Sequence, residues 1–113
     1  MPRRDSAVGL RHMLDHAREA SAMAEGKSEG EFVRDRPLQL ALVRLLEIIG
    51  EAANRVPRED RERFPGIAWP DIVALRNRLI HGYDAVDLSV VWRVIQSDIP
   101  ELVKELQRGL DKN

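Results

Sequence analysis

The sequence has no cysteine among its 113 residues. That excludes disulfides, thiolate catalysis and cysteine-ligated zinc, and it agrees with a reducing compartment. Aromatic side chains make up only 4% of the chain, and no apolar run approaches the roughly 18 residues that a membrane-spanning helix needs. Neither sign of charge dominates, because 18 Lys+Arg stand against 19 Asp+Glu for a formal charge of −1. A protein so balanced does not coat nucleic acid by bulk charge, so any such contact must come from a local patch. Met1, Pro2, Arg3, Arg4, Asp5 and Ser6 lead into no apolar stretch, unlike a signal peptide, and a cytoplasmic location is expected.

What is present points to helices. Charged residues reach 33%, and Leu, Ala, Arg and Glu, which lose little on entering a helix, dominate. The expectation is one domain over residues 1–113 with an all-α fold: an up-and-down four-helix bundle with a short extra helical turn. A first helix runs from a cap at Asp5 or Ser6 to about Glu25, with Gly26 as its stop and Leu10, Met13, Leu14, Ala17, Ser21 and Ala24 as its stripe. Phe32 and Val33 pin a short turn after it. A second helix, capped by Asp35, runs from Pro37 to about Val56 and is apolar around most of its circumference. Gly50 inside it implies a close helix crossing, and the broad apolar surface favours an oligomer.

Arg55 to Pro65 reads as a charged connector, with contact to phosphate as the alternative. A third helix spans Trp69 to His81. A fourth starts at a cap on Asp87 and continues across Pro100, with Asp98 and Glu101 suggesting a capping box at a break.

The densest polar group is Arg76-Asn77-Arg78-Leu79-Ile80-His81-Gly82-Tyr83. At about 100° per residue, Ile72, Val73, Leu75, Leu79 and Ile80 define an apolar face with Arg76 in its middle. A guanidinium stays charged, so an arginine among core positions needs a partner or an opening to solvent. Asn77 and His81, at i and i+4, share the polar face, with Arg78 to one side. Two readings stand. In one, Arg76 snorkels or pairs with Glu47 or Glu51, and His81 is a C-terminal cation favoured by the helix dipole. The other is metal-free ribonuclease chemistry, in which histidine shuttles the proton of a ribose 2′-hydroxyl and arginine steadies the charge building on phosphate. Arg76 and His81 lie about 140° apart around a straight helix. A single site therefore needs the arginine's reach, a tightened last turn, or a matching motif from a second subunit.

Arg76-x4-His81-x-Tyr83, with Asn77 directly after the arginine, resembles the signature of HEPN-domain ribonucleases. The run from Trp69, Pro70, Asp71 and Ile72 to Tyr83, then Val86, Asp87, Val91 and Trp92, is similar to the HepT-like toxin branch. Ile48-Ile49-Gly50-Glu51-Ala52 fits the same branch, and the likeness extends from the first helix to about Leu106. The resemblance implies a HEPN-type bundle and a homodimer whose motif helices meet at a composite RNA-cleaving cleft, with no cofactor. It also implies a small MntA-like nucleotidyltransferase antitoxin that adds AMP to the motif tyrosine. By position, Arg76 and His81 are then the catalytic pair, Asn77 and Arg78 supporting polar residues, and Tyr83 the modification site. The alternative is a non-catalytic HEPN helical subunit that binds and regulates a nucleotidyltransferase.

Other constellations are weaker. His12 and His16 have a metal-compatible i, i+4 spacing without an obvious third ligand. Glu47 and Glu51 share a helix face but lack the accompanying Glu-x-x-His of a di-metal bundle, so structural pairing fits them better. Trp69 and Trp92 read as core anchors rather than as stacking platforms for bases.

Overall fold

A computed structural model describes residues 4–81 and 86–111, and every regular element among them is helical. Helix α1, Arg4–Ala24, ends against Gly26, whose φ of 76° closes the helix in the left-handed region that suits glycine. Asp5 and Ser6 lie inside its first turn rather than capping it, because the helix begins one residue earlier than the expected cap. The short α2, Glu29–Val33, carries a complete capping box between Ser28 and Glu31. Phe32 alone pins this turn: it is fully buried, whereas Val33 is 49% exposed, against the expectation that both would anchor it.

Helix α3, Arg36–Arg55, starts where Asp35 accepts the Leu38 amide at 3.0 Å, with Pro37 in the first turn. The charged connector folds into a single turn, α4, Arg58–Arg61. Within it, Arg61 has a structural role. Arg61 Nε donates to the Val56 carbonyl at 2.9 Å and its terminal nitrogen to Ala53 at 3.1 Å, which closes the α3 C-terminus. The same guanidinium lies 5.5 Å from the Trp69 ring.

Helix α5, Trp69–His81, follows, and then α6, Leu88–Arg93, capped by Asp87. A π-helical turn, Val94–Asp98, joins α6 to α7, Ile99–Asp111. The expected break is present, but its device differs: the Ile99 amide donates to Val94, five residues back, and Asp98 lies in the π turn rather than opening a capping box. Pro100 explains the extra residue, since its ring would clash with the carbonyl four residues before it in a regular helix.

The core is continuous. Leu10, Met13 and Leu14 of α1 meet Leu42, Leu46 and Ile49 of α3 and Val91, Ile95, Leu102 and Leu106 of the last helical stretch. Each such side chain contributes about 1.5–3 kcal/mol when fully buried. Phe32 stacks on Trp92 with ring centroids 5.1 Å apart, and Trp69 Nε1 donates to the Phe64 carbonyl at 3.3 Å, so both tryptophans are core anchors. Helix α1 packs on α3 and α7, whereas α5 packs chiefly on α3. The molecule measures 46 × 29 × 19 Å, and its least dimension is about two helix diameters. A bundle this flat leaves α5 at an edge, with Ile72, Val73 and Leu75 only half covered.

Candidate functional site

The site is built where α5 crosses α3. Gly50 on α3 is buried at the crossing, and a Cβ there would overlap Cβ and Cγ of Arg76 and come within 3.2 Å of the Ile72 carbonyl oxygen. A glycine inside a helix costs about 1 kcal/mol relative to alanine, and the close crossing accounts for it. The crossing lies within one chain, so Gly50 by itself is no argument for a second subunit.

Arg76 is where the helical wheel puts it, among the apolar positions of α5 and half-buried. Its Nε is buried without a hydrogen-bond partner, while a terminal nitrogen donates to Asn77 Oδ1 at 2.9 Å. Glu47 and Glu51, the partners considered for it from the sequence, face Arg44 instead, at 3.6 and 3.9 Å. Among the described residues no carboxylate lies within 4.0 Å of the Arg76 guanidinium. Its charge is held in place by packing and a neutral amide, with no ion pair to a carboxylate of α3 or α5 among the described residues.

Asn77 and Arg78 are exposed. Arg78 borders a small cavity of about 100 Å³ with Leu75, Leu79, Val86, Asp87 and Val90. His81 is the last residue of α5, but its side chain, and residues 82–85 with Tyr83, lie outside the described residues. The structure therefore brings Arg76, Asn77 and Arg78 together on one helix whose C-terminal residue is His81.

A larger cavity, about 240 Å³, opens between α3, α5 and α7 over Leu46, Ile49, Ile72, Leu75, Ile99 and Leu102. Asp71, Asp98 and Glu101 also line it, and neither Arg76 nor Arg78 does. Its acidic rim disfavours a phosphate backbone. In helix α1, His16 Nδ1 donates to the His12 carbonyl at 2.7 Å. No cluster of three or more His, Asp or Glu among the described residues is placed to hold an ion. No helix among them is long and apolar enough to cross a membrane.

The sequence pointed to Arg76 through its misplaced charge and to Gly50 through its misplaced flexibility, without connecting the two. Arg61 as the cap of α3 went unseen, since nothing in a run of mixed charge distinguishes it.

Comparison with known proteins gives consistent results. The family model described as ribonuclease HepT-like matches residues 13–108. A protein named "Putative RNase" from Methanocaldococcus jannaschii is 34% identical over 107 residues, which span 95% of this chain and 98% of the relative. Another of that name from Caldanaerobacter subterraneus subsp. tengcongensis is 39% identical over 103 residues, 91% of this chain and 92% of its own length. The "Probable ribonuclease HepT" of Thermococcus cleftensis is 37% identical over 78 residues, 69% of this chain and 71% of its own. No solved structure matches. With a helical bundle of the expected order, an arginine seated on the motif helix and a family match across both, the chain belongs to the ribonuclease HepT-like family.

Proposed function

We propose that this chain is an endoribonuclease that works without a metal ion, as the toxin of a toxin–antitoxin pair. The observation that carries the reading is the guanidinium of Arg76, seated at the crossing without an ion pair among the described residues, on the helix that ends at His81. The names of the relatives, which are ribonuclease names, agree with it.

In the proposed reaction neutral His81 accepts the proton of a ribose 2′-hydroxyl, and the 2′-oxygen attacks the neighbouring phosphorus. The P–O5′ bond breaks, leaving a 2′,3′-cyclic phosphate, the departing O5′ takes up a proton from water, and the protonated His81 returns its proton to solvent. Arg76 pairs with the non-bridging oxygens, where negative charge builds in the transition state. Asn77 holds the guanidinium, and the exposed Arg78 adds positive charge along the path of the RNA.

The angular separation of Arg76 and His81 on one helix is the reason to place the working site between two copies of the chain, each contributing one motif. Tyr83, two residues beyond His81, is the proposed acceptor of AMP from a MntA-like nucleotidyltransferase partner. Phosphate added there repels an RNA backbone from the motif. Cytoplasmic RNA is the proposed substrate.

The test is cleavage of a defined RNA by the purified protein, with and without EDTA, beside a folded His81→Ala variant. Cleavage that persists in EDTA and disappears with His81→Ala is expected. Intact RNA in the presence of well-folded wild-type protein would leave a non-catalytic helical subunit as the better reading.

A further inference from the structure

The placement of Arg76 raises a question that the motif does not answer: what holds its side chain where it is? An arginine in the apolar face of a helix is usually held by a carboxylate. This one has none within ion-pair distance among the described residues, and the nearest candidates on α3, Glu47 and Glu51, face Arg44. Two restraints remain. Asn77 Oδ1 accepts from one terminal nitrogen at 2.9 Å, and the stem lies in the space that a side chain at residue 50 would fill. Of the atoms nearest that space, the two closest are Cβ and Cγ of Arg76, and the helix backbone at Ile72 comes third. The Cβ contact belongs to any side chain at residue 76 and measures the crossing, whereas the Cγ contact at 2.8 Å belongs to the arginine stem itself.

We propose that Gly50 is the positioning residue for Arg76: its missing side chain leaves a channel across α3 in which the arginine stem lies, and this fixes where the guanidinium emerges. The arrangement has a chemical consequence. A carboxylate would also hold the arginine, but it would cancel the charge that a phosphate needs. Holding the stem by packing and the head by a neutral amide orients the guanidinium and leaves its charge available. The Nε is trapped beneath the crossing with no acceptor, so the terminal nitrogens are left as the groups able to meet an anion.

The consequence for activity rests on the ribonuclease reading; the seat itself does not, and the experiment separates them. Full-length wild type, Gly50→Ala, Arg76→Ala and the double variant are compared by thermal unfolding, by the Arg76 Nε–H resonance (assigned through its loss in Arg76→Lys) and by RNA cleavage. Gly50→Ala is expected to move that resonance and speed its exchange with solvent. It is expected to lower kcat on the order of tenfold or more, with KM held within about twofold, as for a group acting in the transition state. Adding Gly50→Ala to Arg76→Ala is expected to lower the unfolding midpoint less than adding it to the wild type, because the stem beyond Cβ is gone while the Cβ contact of the crossing is kept.

An unmoved Nε resonance, or an equal loss of midpoint on both backgrounds, would overturn the proposal and leave Gly50 as a seat for the helix crossing alone. Wild-type kcat in Gly50→Ala would overturn it as well. If Gly50→Ala does not fold, the double variant decides: a folded double supports the seat, and an unfolded one refutes it. If the wild type cleaves no RNA, the ribonuclease reading fails, while the resonance and the unfolding cycle still decide the role of Gly50.

Discussion

Arg76 differs from an ordinary surface arginine in that its neighbours restrain it without neutralising it. Among the described residues the half-buried Arg76 has a buried Nε without a partner and a bond from a terminal nitrogen to Asn77. Lysine at this position keeps the charge but has no planar fork and no Nε, so Arg76→Lys is not a conservative change here. The expected outcome is a loss of RNA cleavage on the order of a hundredfold, with helicity and unfolding midpoint close to wild type. Single-turnover cleavage measured beside circular dichroism checks this, and near-wild-type cleavage by the lysine variant would reduce Arg76 to a point charge. That Arg76 is special was legible in the sequence because a charge interrupts the apolar periodicity of α5. What holds it was not legible, since Gly50 lies on another helix and only the crossing of α3 and α5 brings the two together. The conflict between local pattern and residue type marked the place, and the fold supplied the reason.

The elements themselves were largely written in their ends. Asp35 and Asp87 announce α3 and α6 by carboxylate chemistry, and each accepts backbone amides as expected, whereas the Ser28–Glu31 capping box of α2 was not read from the sequence. The break before Pro100 was foreseeable, but the π turn was not, because sequence spacing tolerates one extra residue without losing its apolar stripe. The caps carry a pH signature. The Asp87 carboxyl is held below the usual carboxylate range by the Ser89 hydroxyl first and then by the Ser89 and Val90 amides. Glu31 is held down by the Ser28 amide first and then by the Ser28 hydroxyl. For a lowered carboxyl, the stabilisation is full above the unfolded value of about 4 and is lost as pH falls through the lower folded one. Asp87→Ala should therefore lower the unfolding midpoint at pH 7, and the gap to wild type should close as pH drops below about 4. Unfolding curves across that range test it, and a gap that persists undiminished into acid would mean the cap works without its charge. Gly26 makes a separate prediction: at a φ of 76°, alanine should cost about 1 kcal/mol, read as a shifted urea midpoint with an unchanged slope. An unshifted midpoint would show that the turn after α1 relaxes freely.

At the scale of the molecule, the uncovered surface is the informative part. The sequence suggested that α3 was too apolar for one bundle to cover, and the structure refines this. Its inner face is buried by α1 and α5, Leu40 is 55% exposed, and Ala41, Val43, Ile48 and Ala52 are half covered. Helix α5 has the complementary deficit, with Ile72, Val73 and Leu75 half covered at the edge of a flat bundle. A two-fold pairing that buried these edges would bring each motif near its mate and complete a site that one helix cannot close alone. Paired Arg76 and Arg78 would then make the centre of the cleft positive within a chain of formal charge −1. RNA binding should weaken as salt rises, with a shallow logarithmic slope that reports a few phosphate contacts. Leu40→Glu places a charge on the outer face of α3 at a position already exposed, so the fold of each chain should survive it, with a change in stability within about 0.5 kcal/mol. The proposed dimer should not survive it. The expected result is loss of that dimer and of RNA cleavage in the same concentration range, because in the proposed composite site neither half is complete without the other. Light scattering paired with cleavage assays across that range decides the matter, and a Leu40→Glu monomer that cleaves at the wild-type rate would place the whole reaction within one chain.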